Sequence, residues 1–292
     1  MFCRFLPGAG RAHIRLEKKE EIMSEAGYQP SGSVRAQVSE EEWALRVDLA
    51  ACYRLCSLFG WNDYIFTHIS VRLPGNDRQY LINPFGLFFD EITASSLVKI
   101  DADGEILLDE TGLGYNIGGY VIHGAVHAAR DDAHCVVHLH TNEGVAVSGQ
   151  KAGLLPLNQD SMSLLPDLAY HDFEGIALDT DERERLVDHI GDKSAVILRN
   201  HGLLTMGATV ADAFSKMYSL QKSCTMQIMT LAGGVEVGYP SLEAQDKIRD
   251  QIIGRRRPKT TAGGATNNIP VPQLAWNGFL RKLDKVDQGY KD

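Results

Sequence analysis

Apolar, strand-like runs recur in this chain in pairs, and the turns between the partners are too short to hold a helix. "YIFTHISVRL" and "YLINPFG" flank the turn "PGND" at 74–77. "SLVKID" and "EILLD" flank Ala102-Asp103-Gly104, and "SAVILRN" runs directly into "HGLLTMG". Parallel neighbours need a crossover of roughly a dozen residues or more, so connections this short force antiparallel pairing. Between the pairs lie stretches with apolar residues at helical spacing: 40–60 with Gly60 as a stop, 118–130, a short helix opening in "NEGVAVSG", and 209–232, which Thr209 is suited to cap. The pattern predicts a mixed or antiparallel sheet covered by helices rather than a doubly wound parallel sheet.

Composition narrows the function classes. With 292 residues, 44% of them hydrophobic, the chain can bury a sizeable core. Its formal net charge of −9 argues against a nucleic-acid backbone as main partner, and Arg255-Arg256-Arg257 beside a Gly/Thr/Asn tract reads as a solvated tail. Five cysteines (Cys3, Cys52, Cys56, Cys135, Cys224) at irregular spacing read as reduced, mostly buried thiols, and so as a cytoplasmic protein. No stretch approaches a membrane-spanning length, and the charged run "RLEKKEE" is unlike a secretory signal. No membrane partner is expected.

The most specific chemistry lies in "HCVVHLHTNEG", 134–144. Residues i and i+2 of a strand share a face, so His138 and His140 aim side by side at the end of an apolar strand, with Thr141-Asn142 opening the next helix. Two close, buried imidazoles resist double protonation, and as neutral rings they suit a divalent metal. On spacing alone the alternative stays open: paired histidines hydrogen-bonded in a core. A third ligand is needed, and His201 in "ILRNHGLLT" is the best candidate, after an apolar strand and before Gly202. His123 and His127, i and i+4 on one helix face, could bind metal or equally serve packing and hydrogen bonding. His134 opens a strand, His171 lies in a polar loop, His13 and His189 look like surface positions, and His68 is ambiguous.

With these residues in view, the chain resembles the class II aldolase/adducin family from about residue 40 to 235. "AVHAARDDAHCVVHLHTNEGVAVSG" is similar to its central segment with H-x-H, and "AVILRNHGLLTMGATVADAF" to its second block. "THISVRL" and "LINPFGLFFDEITASSLVKID" are similar to its early elements. The resemblance implies a three-layer α/β/α fold with a mainly antiparallel central sheet, assembled as a homotetramer with sites at subunit interfaces. One domain of this kind is expected over 39–235, after a disordered extension over 1–38 and before a helical extension and tail over 236–292. Within the tail, 256–271 reads as a linker and 274–286 as an amphipathic helix, docked back or onto a neighbouring subunit. The resemblance also implies a divalent metal, zinc first with Fe2+ or Mn2+ as alternatives, held by His138, His140 and His201 with open positions for a small-molecule substrate.

The departures from the family bear on the substrate. Where sugar-phosphate aldolases carry Ser-Ser-Glu, this chain has Ile117, Gly118 and Gly119. The early Asn becomes His68, and the Thr of T-x-G becomes Phe85 before Gly86. A phosphate cradle is therefore not expected, and His68, Gly86, Gly118 and Gly119 are the candidate substrate-binding positions. The first expectation is a lyase, for aldol cleavage or decarboxylation, acting on a small non-phosphorylated oxo or hydroxy acid. The candidate acid/base groups are Tyr120, Tyr170, His171 and Glu174. For "AYHDFEG" the residues alone favour a surface loop, whereas the resemblance implies an active-site wall. Two alternatives stand beside it: an iron(II) oxygenase on the same three histidines, and a non-catalytic adducin-like protein.

Overall fold

The computed structural model describes residues 33–75, 78–175, 181–255 and 269–292. In chain order the elements are α1 (Ser33–Gln37), α2 (Glu40–Leu58), β1 (His68–Arg72), β2 (Gln79–Ile82), β3 (Val98–Asp101), β4 (Ile106–Leu108), α3 (Ile117–Ala129), β5 (Cys135–Leu139), α4 (Asn142–Ser148), α5 (Gln159–Leu164), β6 (Leu168–His171), α6 (Asp181–Ile190), β7 (Ala195–Leu198), β8 (Gly202–Gly207), α7 (Val210–Ala232), α8 (Leu242–Arg255) and α9 (Val271–Leu283). The strands form one sheet in the order β4-β3-β2-β1-β5-β8-β7-β6. Every neighbouring pair is antiparallel except β6 and β7. The expected three-layer α/β fold with a mainly antiparallel sheet is the fold observed.

Period-two alternation divides the core between the two faces of the sheet. Ile69, Val71, Cys135, Val137, Leu139, Ile197 and Leu203 face one way, into a cluster with Leu49, Cys52 and Leu55 of α2, Phe214 and Met217 of α7, and Trp276 of α9. Val136, Val196, Leu198, Leu204 and Met206 face the other way, against Ile122 and Val126 of α3 and Leu186 and Ile190 of α6. His138 belongs to the second face, in step with Val136. Cys52, Cys56, Cys135 and Cys224 are free and buried; Cys3 lies outside the described residues. No helix among the described residues is long and apolar enough to cross a membrane.

The helix starts follow from side chains that satisfy otherwise unpaired N–H groups. Ser39 accepts from Glu42 N, Thr209 from Asp212 N, Asn116 from Gly118 N and Thr141 from Gly144 N. Thr141 matters most for the site, because it starts α4 one residue after His140 and so fixes where β5 ends.

Three expectations are corrected or sharpened. The first strand is shorter than "YIFTHISVRL": it begins at His68, and Tyr64 sits in a turn at φ 50°. "AYHDFEG" is not simply a surface loop, since its first residues belong to β6, which pairs in parallel with β7. Of the 1–38 extension expected to be disordered, 1–32 lie outside the described residues and Ser33–Gln37 is helical. Most of the expected 256–271 linker likewise lies outside the described residues.

The C-terminal helix docks back onto its own chain. Trp276 is 2% exposed, its Nε1–H donates to Asp48 Oδ1 at 3.2 Å, and its ring meets Phe214 edge-on at 5.4 Å. Phe279 packs on Phe214 and Tyr218 at 5.3 and 5.4 Å. Truncating so large a buried ring leaves a cavity and strands Asp48, whose carboxyl burial already pushes up. Trp276→Ala should cost roughly 3–5 kcal/mol, read as a lower urea midpoint at unchanged slope.

Candidate metal centre

The central strand brings the first two ligands together, and a tight hairpin brings the third. His138 and His140 leave the same face of β5, and their Nε2 atoms stand 3.0 Å apart. β7 and β8 are joined through Arg199-Asn200-His201, with Leu198 paired to Gly202. Asn200 takes the left-handed conformation at φ 55°, which asparagine tolerates better than most residues, and this turns His201 toward β5. The three rings form a near-equilateral triangle, with centroids 4.7, 4.8 and 4.8 Å apart. One nitrogen from each lies within 4.8 Å of the others. Gly202 allows the approach: a Cβ there would meet the Leu139 carbonyl oxygen at 2.6 Å and His140 Cδ2 at 3.0 Å.

Tautomers decide what this triangle can hold. His138 Nδ1 lies 3.0 Å from the Leu203 carbonyl oxygen, which can only accept. His140 Nδ1 lies 2.9 Å from Asp63 Oδ2, also an acceptor. Both Nδ1 atoms therefore carry a proton, and as neutral rings His138 and His140 would turn both Nε2 lone pairs toward each other. Two lone pairs at that separation repel unless a cation lies between them. Three imidazole nitrogens on a tetrahedral zinc sit about 3.3 Å apart, so the donor set fits a divalent ion. Burial pushes the His138 pKa well below its ordinary value, helped by the neighbouring histidines, and that of His201 to about 4. At neutral pH these two rings are available as ligands.

Asp63 is the member of this group that the sequence did not reveal. It follows the α2 stop in "GWNDY", and no spacing rule connects it to a histidine 77 residues away. His171, a candidate acid/base group from the sequence, is buried at the end of β6 rather than in a polar loop, and its Nδ1 lies 2.8 Å from His189 Nδ1. With Phe173, Glu174, Arg199 and His201 it lines a small recess beside the triad. Glu174 is thus near His201, but its carboxylate is gripped by Arg185 (Nε to Oε2 2.8 Å), which lowers its pKa.

The other candidates sit elsewhere. Tyr170 points to the opposite face of the sheet from His171, accepts from Leu154 N at 3.0 Å, and stacks under the Arg199 guanidinium. Tyr120 donates to the Ala102 carbonyl and lies under Arg183, in a cleft between α3 and α6. The structure brings neither tyrosine to the triad. Gly86 adopts φ 126° against Leu113, beside the loop that leads into α3. Gly118 donates its N–H to Asn116. Gly119 lies against His68, whose ring is 5.1 Å from that of His138. His123 and His127 serve hydrogen bonding rather than the metal triangle.

Comparison with known proteins identifies the family and the fold. The family described as "Class II Aldolase and Adducin N-terminal domain" matches residues 47–228. A Caulobacter vibrioides protein named only provisionally as an aldolase class 2 protein is 51% identical over 91% of this chain and 99% of its own. Mouse alpha-adducin is 42% identical over 89% of this chain, which spans 35% of the adducin. Among solved structures, an aldolase II superfamily protein from Pseudomonas syringae superposes with a TM-score of 0.81 at 49% identity, covering 89% of this chain and 99% of that one.

Two outcomes are expected. Gly202→Ala should lose stoichiometric metal while keeping the far-ultraviolet circular dichroism of the fold, because the new methyl strikes the strand between two ligands; metal analysis after dialysis checks this. Acid should destabilise the metal-free protein. His127 ordinarily titrates near 6.5 and burial lowers it to about 3; burial likewise holds His68 at about 3. The unfolded chain takes up protons that the folded chain refuses, so stability falls as pH drops below the unfolded value. The melting temperature should fall between about pH 6.5 and 5, above the range where ordinary carboxylates titrate, and stay level from about 7 to 8.

Proposed function

The chain belongs to the class II aldolase/adducin family, and on that premise we propose that it is a metal-dependent lyase, for aldol cleavage or decarboxylation, acting on a small non-phosphorylated oxo or hydroxy acid. The observation that carries this reading is the convergence of the His138 and His140 Nε2 atoms, 3.0 Å apart, with His201 closing the triangle. His138, His140 and His201 would hold the ion, and Asp63 and the Leu203 carbonyl would orient two of the rings. When bound there, a divalent ion polarises a carbonyl or enolate oxygen, which assists both carbon–carbon bond cleavages. Three protein ligands leave open positions, the pattern of a catalytic rather than a closed structural site. Zinc is the first choice, and three imidazoles would also accept Fe2+ or Mn2+.

Two features support a non-phosphorylated substrate. The first turn of α3 offers Ile117, Gly118 and Gly119, which supply no side-chain donor. The neighbouring His68 ring is neutral, held at about 3 by burial and by His140 and His201, so it brings no positive charge to a dianion. Each charge-assisted hydrogen bond that a phosphate would need contributes on the order of 1.5–3 kcal/mol. For acid/base work, His171 and Glu174 are the groups that share a recess with His201.

The adducin likeness favours a second reading, a protein that keeps the site without catalysis. A homotetramer in the cytoplasm suits either. The exposed rings of Tyr64, Phe66 and Phe88 cluster 5.6 and 5.8 Å apart and would be covered by another copy, and the free buried thiols suit a reducing compartment.

Protein purified anaerobically and aerobically, analysed for metal and offered a panel of oxo and hydroxy acids, separates these readings. Release of carbon dioxide or an aldehyde near one per second, the ordinary enzyme range, and absent from His140→Ala, is expected, with little or no turnover of fuculose 1-phosphate. Full metal occupancy in His140→Ala would overturn the ligand assignment, and turnover only with iron and oxygen would favour the oxygenase. Metal bound without any turnover would favour the adducin-like reading, and a stable monomer at micromolar concentration by light scattering would overturn the tetramer.

A further inference from the structure

Helices α3 and α6 pack along one side and part along the other. Ile122 and Val126 of α3 share a buried cluster with Leu186 and Ile190 of α6, each pair one helical turn apart. On a neighbouring stripe α3 presents Gly124, Ala125 and Ala128, and α6 presents Arg183, Glu184 and Asp188. Nothing in that α3 stripe is longer than a methyl group, so a cavity of about 530 Å³ stays open between the helices. Its size is within the range of small-molecule sites, roughly 300–1,000 Å³. Tyr80 and Tyr120 add aromatic walls, and none of the three metal-triangle histidines lines it.

Arg183 is the charged group that this cleft leaves unmatched. Its Nε is closed to water and has no hydrogen-bond partner, and among the described residues no carboxylate pairs with it. A buried N–H without an acceptor is costly, and on a cation the acceptor of best fit is a carboxylate. The guanidinium lies over the Tyr120 ring, 5.1 Å from its centroid. Stacking uses the face of the guanidinium and leaves its N–H edge, the part that grips a carboxylate. The Tyr120 hydroxyl donates to the Ala102 carbonyl, so the ring offers the cleft an apolar surface rather than a polar group. Glu184 and Asp188 are exposed on the same helix. They oppose a second negative charge, which favours a monoanion over a phosphate.

We propose that the cleft between α3 and α6 is a second binding site, apart from the metal centre, for a small aromatic monocarboxylate. The flat ring lies against the Gly/Ala stripe of α3, and the carboxylate pairs with the edge of Arg183. Tyr120 then serves to hold Arg183 in place rather than to move a proton. The site stands whether or not the metal centre is catalytic.

Calorimetry on metal-free protein tests this, since a bound ion would itself attract carboxylates. Naphthoate, naphthamide, naphthyl phosphate and naphthylmethylamine hold the ring constant and vary the head group. One naphthoate per chain is expected, bound on the order of tenfold tighter than the amide or the phosphate. Arg183→Leu should weaken naphthoate by a similar factor and leave the amide unchanged, and Arg183→Lys, which keeps the charge, should restore part of the loss. Ala128→Leu fills the cleft from an exposed helical position that leucine suits, and should abolish binding of both at an unchanged melting temperature. Equal binding of naphthoate and naphthamide, a preference for the phosphate or the amine, or naphthoate binding that survives both Arg183→Leu and Ala128→Leu overturns the proposal. Absence of naphthoate binding overturns it too, and if Ala128→Leu then changes the oligomeric state by light scattering, the cleft is an interface between copies of this chain instead.

Discussion

The architecture depends on β5 being buried on both faces while carrying two histidines. A central strand between β1 and β8 has no wet side, so every polar group it carries must find a partner inside the protein. Cys135, Val137 and Leu139 meet this by packing under α2 and α7. On the other face Val136 packs, and His138 and His140 each spend one nitrogen on an acceptor, Leu203 O or Asp63. The remaining nitrogens have only each other and His201. A buried lone pair without a donor is costly, and three neutral imidazoles converging here, His138 buried and the other two half-buried, would turn lone pairs on one another unless a cation is there. The same period of two that stabilises the sheet thus creates an electrostatic deficit at one end of it, and this deficit is the physical content of the candidate site.

What was legible in the sequence was what local periodicity controls. The hairpins, the H-x-H face and the caps at Thr141 and Thr209 each depend on residues a few positions apart, and all were readable. His201 was readable because it follows an apolar strand and precedes Gly202, which permits a tight turn. β6 was not, because its partner β7 is parallel and distant in sequence, so no turn announces the pairing. Reading 168–171 as a strand would have separated Tyr170 from His171 at once, since neighbours on a strand cannot serve one site. Asp63 was invisible for a similar reason: its role is defined by a ring 77 positions away.

The departures from the family pattern compensate one another in space. A Glu at position 119 and an Asn at 68 would both be polar chains reaching toward the metal. Here one has become Gly and the other a larger ring, and the Gly119 and His68 positions fit only together: a Cβ at 119 would lie 2.8 Å from His68 Cγ.

The pair His123 and His127 shows why spacing alone left two readings open. At i and i+4 on α3 they share a face, as metal ligands on a helix would. What settles their use is the strand opposite, where His68 and Ser70 share a face at i and i+2. A helical repeat of about 5.4 Å per turn and a two-residue strand step of roughly 6.6–6.8 Å are near enough for four side chains to interleave, His127 to Ser70 to His123 to His68. Each residue type does what its inventory permits: serine supplies one proton and accepts another, and a neutral imidazole passes polarity from one nitrogen to the other. Substituting an apolar residue at 70 would leave the packing nearly intact and break the line, so the small hydroxyl on the strand carries onward the direction that the Ala133 carbonyl sets at His127.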